Sequence, residues 1–373
     1  MIKLFILSII ITLFTACSDD EKIIPSGKKI HISVLAPISG DNKRYGRQSL
    51  LGFNEANNMK RYLNNGDEIV LHVDDTKTDD KIFVKAMDSA NINDNKIIIT
   101  FEGSNNLIAV KDTLKAIKKP IIATLATNNE VPSLSENMIQ VCMSNDTQAL
   151  VAAHFTKDEK FINNVGVVYD KTNKYSSELA QEFKIIYEKL GGVIEFFDDI
   201  SSDVDFLKFK NRDKHKINLL FSVANASQNV KVITLIKKQN KHLQILSTDG
   251  LLNNALENER DNLDLFNGIY VVEHYAHEKF SHKDRKRLEK YLKKYDLEES
   301  SYAFLAYDAY QLVYYALDNC VDYDEGCISA ILKNSGIISG ISGNFSMLDS
   351  KAKREIYVDK IKKSKLIKEI VIY

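Results

Sequence analysis

Short apolar runs alternate with longer amphipathic ones along most of the chain, and no other feature narrows the choice of fold as much. Lys29-Ile-His-Ile-Ser-Val-Leu-Ala36 alternates and then turns wholly apolar, as a strand entering a core does, and Pro37-Ile-Ser-Gly40 ends it. From residue 48 to 63, Leu51, Ala56, Met59 and Leu63 form a helical stripe. A strand over 68–73, a helix over 80–90, a strand over 96–100, a helix over 104–118 and a strand over 120–124 follow. The series then repeats, with strands at 165–169, 193–196, 217–222 and 243–247 and helices at 175–190, 203–210 and 227–238. This rhythm predicts an α/β fold made of two doubly wound parallel sheets, and 373 residues are enough for two such lobes. In sheets of this kind small ligands lie beyond the carboxyl ends of the strands, so the turns after the strands are where a site is expected. Farther on, residues 283–295 and 300–319 read as helices, the second rich in buried-type aromatics, and 356–358 with 366–372 as a late hairpin.

Charge excludes some partners. Lys and Arg number 50 against 51 Asp and Glu, so nothing in the balance favours nucleic acid or anionic lipid. An apolar fraction of 44% excludes the disordered class. The start of the chain is different. Met1-Ile-Lys3 precedes an apolar run from Leu4 to Ala16, too short for a membrane span of about 20 residues. It fits the core of a secretion signal, residues 1–16. The ending Leu13-Phe-Thr-Ala-Cys17 resembles a bacterial lipoprotein signal, which implies that Cys17 is lipidated and that polar residues 17–28 tether the body. Membrane contact is then expected through the lipid anchor alone, with two acyl chains giving stable attachment.

Export implies an oxidising compartment, in which Cys320 and Cys327, flanking a short acidic loop, are expected to pair. Cys142, in an apolar run, reads as a buried small hydrophobe. His274, His277 and His282 lack a carboxylate or Cys partner at ligand spacing and read as part of a solvated loop, so no metal and no cofactor is expected. Asp74-Asp75 and Asp79-Asp80 read as a turn that caps the next helix. No nucleophile elbow, zinc-protease or phosphate-loop motif follows a predicted strand, which argues against an enzyme.

Three strand ends carry polar groups suited to a zwitterion. Gly103-Ser104 opens a helix whose free N–H groups favour a carboxylate. Ala123-Thr-Leu-Ala-Thr127 offers hydroxyls and unpaired carbonyls, and Asp249 after Leu246-Ser-Thr248 can meet an ammonium. Taken with Tyr45-Gly46, Gly52, Pro120-Ile-Ile-Ala-Thr-Leu-Ala-Thr127, Val167-Val-Tyr-Asp170 and Gly340-Ile-Ser-Gly-Asn-Phe345, this order of segments resembles the type I periplasmic binding proteins. The similarity is to their leucine/isoleucine/valine-binding branch, which serves ABC transporters. The resemblance implies two lobes joined by three hinge crossings, residues 29–145 with 274–345 and residues 146–273 with 346–373, closing over a ligand. It implies that Ser104 and Thr127 bind the α-carboxylate. Thr127, the carbonyl of Leu125 and Asp249 would meet the α-ammonium, and Tyr45 and Tyr175 would wall the side-chain pocket. Phe221-Ser-Val-Ala-Asn-Ala226 lacks an aromatic common there in the family, which implies a reshaped pocket. The expected partners are a small amino-acid-like ligand and an ABC permease, in the bacterial cell envelope. The other function such a body would serve is sensing or protein contact by an envelope lipoprotein with a degenerate pocket.

Overall fold

The computed structural model describes residues 23–224, 226–251, 265–275, 284–295, 300–362 and 365–372. Residues 1–16, where a signal is expected, Cys17, His277 and His282 lie outside the described residues. The first sheet takes β1 (Lys29–Ala36), β2 (Glu68–Asp75), β3 (Asn95–Thr100), β4 (Ile121–Ala123) and β5 (Met138–Gln140), all parallel. Their connections are α1 (Lys43–Met59), α2 (Asp80–Ile92), α3 (Ser104–Ala109) and α4 (Lys111–Ala116). After α5 (Asn145–His154), the second sheet takes β6 (Asn164–Tyr169), β7 (Val193–Asp199), β8 (Leu219–Val223), β9 (Gln244–Thr248) and β10 (Tyr270–Glu273). These strands are again parallel and are linked by α6 (Lys174–Lys189), α7 (Asp203–Asn211) and α8 (Ala226–Gln239). The helices Arg285–Leu292, Ser301–Asp318 and Glu325–Lys333 return to the first lobe.

Burial explains the pattern. Ile97, Ile98 and Ile99 are all fully buried, since helices cover both faces of β3, and each such side chain contributes roughly 1.5–3 kcal/mol. On one face α1 packs on Ser301–Asp318, with Phe53 edge-on to Tyr310 at 5.3 Å. Gly52 permits this approach, because a Cβ there would lie 2.0 Å from the carbonyl oxygen of Ala303.

Further strands extend each sheet at one edge. β11 (Ser335–Ile338), β12 (Phe345–Leu348) and β13 (Lys351–Arg354) join the first beyond β5, and β14 (Ile356–Lys362) and β15 (Lys365–Ile372) join the second beyond β10. They are antiparallel to their neighbours except where β13 meets β5 in parallel. The late hairpin is thus β14–β15. β13 pairs Lys351 with Gln140 of β5, so residues 346–354 lie in the first sheet and the last passage falls at Glu355, later than residue 345. Of the Gly340–Phe345 segment, residues 340–344 form a loop and only Phe345 begins a strand. The helix expected over 104–118 divides at Val110, where the N–H groups of Thr113 and Leu114 restart on its carbonyl.

The sheet orders place the functional turns. In the first, β1 sits between β2 and β3; in the second, β6 sits between β7 and β8. The chain reverses its direction of travel across the sheet at both points, opening a crevice at the carboxyl ends of the strands.

Candidate functional site

Both crevices open into one cleft of about 230 Å³, and Tyr45, Ser104, Leu125, Thr127, Tyr175 and Asp249 all line it. Tyr45 reaches it because α1 begins at Lys43, earlier than the stripe suggested. That early start needs Gly46, where a Cβ would lie 2.3 Å from the carbonyl oxygen of Pro37. Ser104 is the first residue of α3, and its hydroxyl accepts from the N–H of Asn128 at 3.2 Å, leaving its own proton to donate. Thr127 stands in the loop after β4. The carbonyls of Ala126 and Thr127, expected to be open, are engaged by Gln140 Nε2 at 2.7 Å and by the N–H of Asn145 at 2.8 Å. The turn is thereby fixed from behind.

The second lobe supplies the charge. Asp249 follows β9, and the Tyr175 hydroxyl donates to its Oδ1 at 3.0 Å while lying 2.6 Å from Thr248 Oγ1. Burial raises Asp249 to about 6, against the Tyr175 bond and backbone N–H groups that favour its ionised form. Desolvation and the nearby carboxylate push the Tyr175 hydroxyl well up. In the first lobe Glu102 lies behind the cleft, fully buried and bonded to the Thr76 hydroxyl. Burial, with Asp80 and Asp75 adding to it, raises Glu102 to about 7. No Lys, Arg or His lines the cleft among the described residues. The site therefore suits a molecule that brings its own positive charge together with groups that accept hydrogen bonds.

Sequence reasoning missed part of the lining. Asn42, Asn105, Asn106 and Asn173 line the cleft, and Tyr302 lies beside Tyr45 with ring centroids 5.6 Å apart and the rings tilted at 57°. Ala224 lines the wall where the aromatic was noted as missing. Asparagine in strand–helix turns is ordinary turn chemistry, and Tyr302 opens a helix that reads as core, so neither carried a signal.

Other readings are corrected. His274 is buried, not solvated, with Nδ1 3.1 Å from Glu273 Oε1. Burial drives this His well down, and burial with the nearby Asp249 carboxylate drives the Glu well up. No cluster of three metal-binding side chains occurs among the described residues. Asp74 and Asp75 end β2 instead of lying in a turn, and the Asp75 carboxylate pins the β1–α1 loop through the N–H groups of Ile38 and Ser39. Asp79 does cap α2, accepting from Lys81 and Ile82. Cys320 and Cys327 are bridged, with Cα atoms 5.8 Å apart, and Cys142 is buried.

A family model described as periplasmic binding protein matches residues 29–365. No curated protein matches the chain in sequence. Among solved structures, the leucine-binding protein LivK of Thermotoga maritima has a TM-score of 0.78 at 23% identity, covering 92% of this chain and 98% of that one. LivJ of Streptococcus pneumoniae, solved with isoleucine, has a TM-score of 0.76 at 17% identity, covering 92% and 100%. A Rhodopseudomonas palustris solute-binding protein solved with p-hydroxybenzoic acid has a TM-score of 0.78 at 18% identity, covering 92% and 97%. At these identities the structural likeness establishes the fold.

Proposed function

The chain belongs to the periplasmic binding protein family, in the type I leucine/isoleucine/valine-binding branch, and on that premise we propose that it is a lipid-anchored extracytoplasmic receptor for an amino acid or a related small polar solute. It captures this ligand between two closing lobes and delivers it to an ABC permease. One observation carries the reading: six residues drawn from five separate strand ends meet around a single cleft whose lining includes one charged group, Asp249. An α-ammonium beside Asp249 and an α-carboxylate beside Ser104 and Thr127 each find the partner that offsets desolvation. An aromatic acid without an ammonium would meet a buried carboxylate and no cation, which favours the zwitterion over the hydroxybenzoates of some structural relatives. A complete polar lining also speaks against a degenerate pocket. Anchoring at Cys17 makes the receptor a membrane-held one, with residues 18–28 as its tether. Such a body binds and releases its solute unchanged, without catalysis. The test is thermal unfolding of the purified protein against a library of amino acids, amides and organic acids. A zwitterionic amino acid present at 100 times its Kd adds about 2.7 kcal/mol of stability and a clear rise in Tm. A flat response across the library refutes the receptor.

A further inference from the structure

The hydrogen bonds at the cleft mouth fix which end of each asparagine amide is left over. Asn106 Nδ2 donates to the Asp80 carboxylate at 3.2 Å, so its Oδ1 is turned to Asn42, whose Nδ2 donates to it at 3.3 Å. A carboxylate oxygen only accepts, so this chain has one polarity, and Asn42 Oδ1 remains as an acceptor. The opposite case holds at the next two positions. Asn105 Oδ1 accepts from the N–H of Lys174 at 2.8 Å, and Asn173 Oδ1 accepts from the N–H of Ser176 at 3.3 Å. A backbone N–H only donates, so the Nδ2 groups of Asn105 and Asn173 are left as donors. All four residues line the cleft. Its mouth therefore carries a fixed acceptor from the first lobe and fixed donors from both lobes, and Asp80, which holds Asn106 on the acceptor side, is close enough to Glu102 to raise it further.

We propose that the ligand carries a side-chain carboxamide, whose N–H₂ meets Asn42 Oδ1 and whose carbonyl meets the amides of Asn105 and Asn173. This rests on the reading of the cleft as a solute site and specifies its ligand as an amino acid of asparagine or glutamine type. A primary carboxamide is the simplest group that presents one donor and one acceptor side by side. A side-chain carboxylate of the same shape lacks the donor and meets both the Asn42 oxygen and the acidic background. An aliphatic side chain leaves the amides without partners once closure expels water, at a cost in affinity.

Calorimetric titration of the full mature chain with L-glutamine, L-asparagine, L-glutamate, L-aspartate and L-leucine tests this directly. We expect one of the two carboxamides to bind at least about tenfold more tightly than its own carboxylate and than leucine, a difference of about 1.4 kcal/mol. Asn42→Ala should weaken the carboxamide about tenfold and leave leucine unchanged, with the ligand-free Tm as the check on folding. Leucine or glutamate binding as tightly as the carboxamides, or an equal loss for all ligands in Asn42→Ala, overturns the assignment while leaving a receptor in place. Absence of binding by every amino acid overturns the receptor reading itself. The comparison on the unaltered protein decides the matter even where the variant does not fold.

Discussion

The two lips of the cleft are built from equivalent turns but do different electrical work. The first lobe offers neutral groups, the Ser104 hydroxyl, Thr127 and the Asn42–Asn106 amides, with its acid Glu102 held out of the lining. The second lobe offers a carboxylate, Asp249, positioned by the Tyr175 hydroxyl. On the proposed reading, the first lip holds the carboxylate and only the second brings a counter-charge to the ammonium, so the full set of contacts needs both lobes, which would couple binding to closure. The difference predicts unequal losses. Asp249→Asn leaves an ammonium desolvated without a counter-charge and should weaken binding about a hundredfold, close to 3 kcal/mol. Ser104→Ala removes one neutral donor and should cost about 1 kcal/mol, or about fivefold. Calorimetric Kd values for the two variants check this, and equal losses would remove the distinction between the lips.

The same contrast appears in pH. With Asp249 raised to about 6, an ammonium binds the ionised form, so affinity should fall about tenfold between pH 7 and pH 5. Ligand-free stability should run the other way on this account. The folded value lies above the ordinary carboxylate value, so the contribution from Asp249 is fully present below about pH 4 and is lost as pH rises through about 6. Glu102, raised to about 7, adds stability of the same sign in a higher window. Asp249→Asn should abolish the pH dependence of binding between 5 and 7 and leave the Glu102 part of the stability profile. Titrations at three pH values, with unfolding curves alongside, read both. A tenfold fall that persists in Asp249→Asn would assign the effect to another group, Glu273 first, because it faces Asp249 from β10 and is itself driven up by burial.

Legibility of the fold followed burial geometry. β1 and β3 announce themselves by the apolar runs Val34-Leu-Ala36 and Ile97-Ile-Ile99, which are buried on both faces, and α6 because one of its faces is not. α5 was not legible: Ala149, Val151, Ala152 and Ala153 are all buried, so no polar face marks its period. β13 was not legible for the opposite reason, since Lys351-Ala-Lys-Arg354 carries no apolar pattern and becomes a strand only by pairing with β12 and β5. The site divides similarly. Ser104 and Asp249 stand within a few residues of the buried strand runs Ile97-Ile-Ile99 and Ile245-Leu246, in the turns where ligands of such sheets are expected. The role of Asn42 depends on a hydrogen-bond chain through Asn106 to Asp80, which brings together residues 38 positions apart and cannot be read from spacing.

The smallest expected effect separates contact with the ligand from contact between the lips. Glu178 lies on α6 in the second lobe, and its carboxylate accepts from the N–H of Asn129 in the first lobe at 3.0 Å and from Asn145 Nδ2 at 2.6 Å. Asn128 Nδ2 adds a bond to the carbonyl of Lys174 at 3.4 Å. None of Asn128, Asn129, Asn145 and Glu178 is a lining residue, although Asn145 Nδ2 also donates to the carbonyl of Tyr175 at 3.3 Å, so on the proposed reading they hold the lobes together whatever is held inside. Burial pushes Glu178 up while the Asn129 and Asn145 bonds favour its ionised form. Removing it by Glu178→Ala should cost about 1 kcal/mol of closure, weakening every ligand by the same factor of about five. Selectivity between ligands should not move, which is the readout that distinguishes this position from Asn42 and Asp249. A change in the ratio of two Kd values in Glu178→Ala would mean that the α6 contact reshapes the pocket, and the separation between reading the ligand and shutting the cleft would fail.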